Sequence, residues 1–223
     1  MEPEDLPFVV GEHRRHFPDG FFARLGPRFL TSYTATYLTS PHARAYVAEA
    51  EGLPAGFLVG VTDPAAHRSW LVRTHGRRLA LRACTALVTR PGLLLHFLRT
   101  RLGRYSRKLL PSRHRRQEPP AADRDGVTAV LAHVAVADRA RSLGLGAALV
   151  ERFTQDAADA GCARVTLVTA TGPAGAGPFY ERLDWQRTGE SHTPEGRLFA
   201  VYEHPLPGAS PHNPARHDQG PAQ

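Results

Sequence analysis

The stretch ARSLGLGAALVERF, residues 140–153, decides how this chain folds. Upstream, VTAVLAHVAV (127–136) is rich in β-branched residues and reads as a strand. Downstream, AALVERFTQDAADA (147–160) reads as a helix that Gly161 ends, and ARVTLVTAT (163–171) is a second strand. The result is a βαβ-like unit with Gly144 and Gly146 at the corner from strand to helix. Glycines there allow backbone angles and close approaches that a Cβ would block. The amides near Leu143, Gly144, Leu145, Gly146 and Ala147 can then converge on an anion, helped by the positive end of the helix dipole.

Spacing narrows the kind of anion. A Walker loop needs GxxxxGK[ST], and the only lysine in the chain is Lys108. A dinucleotide fingerprint needs a third Gly or Ala where Leu149 stands, and an acid after the next strand, where Ala170 and Thr171 stand. What remains is Arg-x-x-Gly-x-Gly, here Arg141, Gly144 and Gly146. Before it runs the apolar step Val134-Ala135-Val136, and further on comes Phe179-Tyr180-Glu181-Arg182-Leu183-Asp184-Trp185. In order and spacing these motifs resemble the GCN5-related N-acetyltransferase (GNAT) family over residues 127–204, and the earlier elements match by order alone. Two positions depart from the family pattern: Pro173 stands where Asn is common, and Asp184 where Gly is usual.

The resemblance implies an α/β fold, a mixed and mostly antiparallel central sheet splayed between the strands ending near Val136 and Thr169, with helices on both faces. It implies acetyl-CoA as co-substrate, held by Val134, Val136, Arg141, Ser142, Leu143, Gly144, Leu145, Gly146, Ala147 and Tyr180. It further implies direct attack of a neutral amine on the thioester in a ternary complex, with a backbone N–H near Val136 facing the oxyanion and Tyr180 as general acid. His133 is the candidate base, since an unperturbed imidazole titrates near pH ~6.5. Strict strand alternation sets it opposite Ala132, Val134 and Val136, which also suits a structural histidine. Glu49, Glu51 or water are the alternatives. A small-molecule amine is the expected acceptor.

Composition sets the outer bounds. At 223 residues, 42% apolar and 22% charged, the chain suits one catalytic domain, expected over 1–204, with a proline- and glycine-containing disordered tail over 205–223. Cys84 and Cys162 lack ligand spacing, and the twelve histidines form no metal-type pair, so both cysteines are expected to pack and no metal is expected. The acidic, proline-broken MEPEDLPFVV is unlike a signal peptide, and cytoplasmic residence is the expectation. Ahead of the βαβ unit, 17–39 is helical with a break at Gly26-Pro27, and RAYVAEAE and AGFLVGVTD read as strands joined at GLPAG.

Between those strands and the βαβ unit lies the oddity of the chain. Residues 64–117 hold thirteen Arg and one Lys with no acid, a charge of +14 inside a chain whose net charge is only +7. The rest therefore carries −7. The patterning predicts a basic helical hairpin broken at Pro91-Gly92, its second helix carrying an apolar stripe of Leu94, Phe97, Leu98, Leu102, Tyr105 and Leu109. Three roles are open: a lid holding an anionic group of the substrate; a surface for an anionic membrane, nucleic acid or an acidic partner; or a solvated hairpin packed on the domain or on a second copy in a homodimer. No nucleic acid is expected if the chain is an enzyme. The competing class is an inactive binding module that keeps the scaffold and works through 64–117.

Overall fold

A computed structural model describes residues 1–98, 126–172, 175–192 and 196–207. Helices α1 (Leu6–His16), α2 (Phe21–Arg24) and α3 (Pro27–Thr39) precede a hairpin of β1 (Ala43–Ala50) and β2 (Leu53–Val61). The basic helices α4 (Pro64–Val88) and α5 (Pro91–Phe97) follow. After them come β3 (Thr128–Val136), α6 (Leu145–Asp159), β4 (Arg164–Ala170), the short α7 (Gly177–Glu181), β5 (Gln186–His192) and β6 (Leu198–Pro205).

The strands form one sheet in the order β1-β2-β3-β4-β6-β5, antiparallel except between β3 and β4. That parallel pair is joined over three steps only, from Thr128 opposite Arg164 to Val130 opposite Thr166. Beyond Val130 the two strands separate, and β4 continues alongside β6. The expected splay is therefore a wedge that opens towards Val136.

Helices cover both faces. On one, Leu149, Val150, Phe153 and Ala157 of α6 pack with Leu58, Leu131, Val165, Leu167 and Tyr202. On the other, Val9 of α1 and Tyr37 of α3 pack with Phe57, Val59, Val61 and Ala135. From residue 56 on, the even residues of β2 are Gly56, Leu58 and Gly60, and the side chains that the two glycines lack let α6 lie close. A Cβ at Gly60 would stand 2.5 Å from Phe153 Cε2 and 3.0 Å from Cε1, and one at Gly56 would stand 3.4 Å from Leu149 Cδ1. Leu149 and Phe153, one helical turn apart, thus sit in a groove made by two glycines. Tyr46 of β1 donates its hydroxyl to Asp156 Oδ2 at 2.7 Å, and Arg44 Nε of the same strand meets Asp156 Oδ2 at 3.5 Å, tying α6 to the edge strand.

Several sequence expectations need correction. Residues 6–16, to which the patterning assigns no element, form α1, whose Val9, Val10 and His13 are buried. The β1–β2 turn is the pair Glu51-Gly52 with φ of 54° and 73°, and Leu53-Pro54 belong to β2. Both residues have the positive φ that two-residue hairpin turns favour. At the other end β6 runs through Pro205, and the buried Leu206 donates its N–H to Ala163 O, so the folded part passes 204. Cys162 is buried as expected, but Cys84 is exposed on α4. On α5 the buried leucine is Leu93, while Leu98 is 39% exposed; the expected stripe beyond it lies outside the described residues. Among the described residues no helix is long and apolar enough to cross a membrane, and no group of three metal-ligating side chains occurs.

Candidate active site

The corner between β3 and α6 bends in two places. Ser142 and Gly144 have φ of 65° and 76°, in the left-handed region, and α6 starts at Leu145 with Gly144 as its N-cap. Gly144 answers a conformational demand, because nothing lies within 4 Å of the place its Cβ would take. Gly146 answers a packing one: Phe179 Cζ stands 3.4 Å and Val136 Cγ2 3.6 Å from its Cβ position. The first hydrogen bond of the helix runs from Ala148 N–H to Gly144 O at 3.0 Å. Before it, the amides of Ser142, Leu143, Gly144, Leu145, Gly146 and Ala147 donate to no acceptor among the described residues. Six consecutive N–H groups at the positive end of a fifteen-residue helix make a site for a multiply charged anion.

The wedge reaches this cradle. Ala137 N–H donates to Ala55 O at 2.8 Å, so Ala135 and His133 are the other residues of β3 that bond to β2 in an antiparallel ladder. The amides and carbonyls of Val134 and Val136 then point the opposite way, into the wedge, where β4 has already departed. An extended ligand arm can pair with them there, and a developing oxyanion can take the Val136 N–H.

Arg141 lies at the cradle's edge, bound to Asp138 Oδ1 at 2.8 Å, with both side chains more than half exposed. Such a pair is weak, and the guanidinium can exchange it for a phosphate at little cost. Arg139, by contrast, is fixed by donating to Pro54 O at 2.6 Å.

Tyr180 and Phe179 sit on α7. The Tyr180 ring is buried against Trp185 (5.6 Å between centroids) and Tyr202 (6.1 Å), and burial raises its phenol pKa. Its hydroxyl makes no hydrogen bond among the described residues. α7 is locked by Gly177, whose Cβ position lies 2.6 Å from the Tyr202 hydroxyl, and by Tyr202 donating to Glu181 Oε1 at 2.8 Å. Phe179 is the contact that sequence reading missed, although it adjoins Tyr180 in the motif: its ring closes on Gly146 and joins α7 to the cradle. Asp184, standing at the family's glycine position, has φ of 60°, which Asp tolerates better than most residues.

His133 faces away from Val134, as alternation predicts, but shares its side with Ala132. The β2–β3 register shifts between Val59 and Gly60, which pair with His133 and Leu131 and leave Ala132 as a bulge. The bulge places Ala132 and His133 on the same face, towards α1, while Val134 packs on the α6 side. The His133 ring meets His13 edge-on at 4.4 Å and Phe17 at 5.2 Å. Burial, with the neighbouring His13 adding to it, lowers the His133 pKa to about 3, and burial lowers that of His13 to about 4. An imidazole this reluctant to charge suits packing, not proton abstraction from an ammonium. Glu49 and Glu51 are exposed at the β1–β2 turn, the same end of the sheet as Val136.

Residues 113–185 match the family model described as Acetyltransferase (GNAT) family. No curated protein matches the sequence. Among solved structures, the chain is similar to the ribosomal-protein-S18-alanine N-acetyltransferase from Escherichia coli, at 15% identity and a TM-score of 0.53 over 96% of this chain and 95% of that one. It is similar to Ard1 from Thermoplasma volcanium (13%, TM-score 0.54, 92% and 94% covered). It is also similar to an aminoglycoside 6'-N-acetyltransferase complexed with coenzyme A (11%, 0.54, 92% of each chain). Identities this low speak for the fold. The matched segment starts inside the basic stretch and spans the wedge, the cradle and the Phe179-Tyr180 helix; over residues 113–185 the chain matches the GNAT acetyltransferase model, and its fold is that of these acetyltransferases.

Proposed function

We propose that the chain transfers an acyl group, acetyl in the simplest case, from coenzyme A to the amine of a small molecule. The observation that carries this is the run of six unpaired amides from Ser142 to Ala147, next to a wedge into which Val134 and Val136 turn their backbone polar groups. The cradle fits a diphosphate, with Arg141 as an added cation. The wedge fits the extended, amide-containing arm that links that diphosphate to the thioester.

The residues then have separate tasks. The amides of Leu143 to Ala147 bind the diphosphate, and the Val134 and Val136 backbones hold the arm in register. Val136 N–H faces the oxyanion as the amine attacks the thioester carbonyl. Burial keeps the Tyr180 phenol protonated through the neutral range, the state a donor to the departing thiolate needs. Val168 of β4 is 58% exposed, so the wedge is open beside it, and we place amine entry there. Proton removal falls to water at that mouth, since His133, buried against His13, is too weak a base to take the proton.

The test has two stages. Coenzyme A should raise the melting temperature, and a panel of amines should release free thiol from acetyl-CoA. No shift at millimolar coenzyme would remove the cofactor assignment and favour a scaffold without activity. A shift with release only on peptide amino termini would remove the small-molecule acceptor.

A further inference from the structure

We propose that the outer face of α4, with the α4–α5 corner, docks on an anionic lipid surface. On α4, Arg77, Leu81, Cys84 and Val88 follow one another at spacings of four, three and four, so they share one face of the helix. All four are exposed, Leu81 by 70% and Val88 by 77%. The opposite side holds Leu79 and Leu87, buried against Leu25 and Phe29 of the α2–α3 pair. The helix is thus already packed, and the aliphatic groups on its outer face belong to no core. Past the corner, Leu95 of α5 and Leu98 just after it are exposed as well.

The arginines divide in the same way. Arg82 donates to Arg28 O and to Ser32 Oγ, and Arg90 to Arg24 O, so these two fasten the hairpin to α2 and α3. Arg73, Arg77 and Arg78, on or beside the outer face, are exposed and form no ion pair or hydrogen bond among the described residues. No acid occurs between Pro64 and Gln117 to screen them, while the remainder of the chain is net negative. Among the described residues, Arg73, Arg77 and Arg78 thus give the exposed side of α4 a positive charge that a negative surface attracts.

Exposed leucine and valine between arginines favour a bilayer over a nucleic acid. Aliphatic side chains gain nothing beside phosphates in water, whereas in the headgroup boundary they enter the acyl region as the guanidinium groups stay with the lipid phosphates. A nucleic-acid surface would need polar or stacking groups where Leu81 and Val88 stand.

The test uses the full chain and sedimentation with vesicles. Partition onto phosphatidylcholine with phosphatidylglycerol at about 7:3 should exceed that onto phosphatidylcholine alone by about tenfold or more near 50 mM salt, and collapse near 500 mM. Leu81→Ser with Val88→Ser should weaken it about fivefold at an unchanged melting temperature, and Arg73→Gln, Arg77→Gln and Arg78→Gln together should do the same. A polarity-sensitive dye on Cys84 should blue-shift on the anionic vesicles, since Cys162 is buried and will not label. Equal partition onto neutral vesicles, or an unchanged double serine variant, would overturn the proposal. So would duplex DNA binding that survives the serine substitutions while displacing vesicles, or a dimer in solution that those substitutions dissolve.

Discussion

The contact of His13 with His133 makes stability depend on pH in a defined way. Folding lowers both pKa values, to about 4 and about 3, from an ordinary 6.5. The unfolded chain therefore binds protons that the folded one refuses. Stability from this pair is complete above pH ~6.5 and falls as pH drops towards the folded values. At pH 5 an ordinary imidazole is almost fully protonated and these two are almost fully neutral, so each costs the fold about 2 kcal/mol, and the pair about 4 kcal/mol, relative to pH 7.5. The loss depends little on the exact folded values, provided both lie near 4 or below. Against a domain stability of ~5–15 kcal/mol this is a large share. Urea unfolding followed by circular dichroism at pH 7.5, 6.5, 5.5 and 5.0 measures it. His13→Leu with His133→Leu removes both titrations and should flatten the profile by about 4 kcal/mol over that window. His67, also lowered by burial, remains in both proteins and cancels in the comparison. A double variant losing as much stability as the parent between pH 7.5 and 5 would show that the two rings reach solvent and charge in the folded state.

Three further outcomes bear on packing and on the site. Gly60→Ala should destabilise the fold by about 2 kcal/mol through its overlap with the Phe153 ring, and Phe153→Leu should recover part of that loss when added to it; in urea unfolding, simple additivity of the two losses would refute the contact. Gly144→Val should cost about 1–2 kcal/mol and weaken coenzyme binding, because φ of 76° suits a β-branched residue poorly and bends the amides away from the diphosphate; calorimetry with an unchanged Kd would detach the loop from the site. Tyr180→Phe should lower kcat by about a hundredfold with little change in KM, the loss expected for a general acid; unchanged thiol release would leave Tyr180 with packing alone.

Much of the site is legible in the sequence because its signals are local. The turn at Gly144 and the start of α6 follow from glycine spacing and helix patterning, and the Phe179-Tyr180 pair has its own motif. The wedge's backbone groups follow from the resemblance, and the register of β3 supplies their direction. What escapes the sequence depends on contacts between distant segments. Alternation from Thr128 to Val136 has no mark for the bulge at Ala132, beside Gly60 of β2, so a correctly placed strand sets His133 opposite Val134 but gives the wrong face for Ala132. The low pKa of His133 likewise needs His13, 120 residues away on a helix that the patterning leaves unassigned. Yet α1 carries a signal: Leu6, Val9, Val10 and His13 are spaced at three, one and three, with Pro7 in the first turn. Those four form one face of a helix, and burying that face against the sheet brings a second imidazole to β3, which makes packing the natural role of His133.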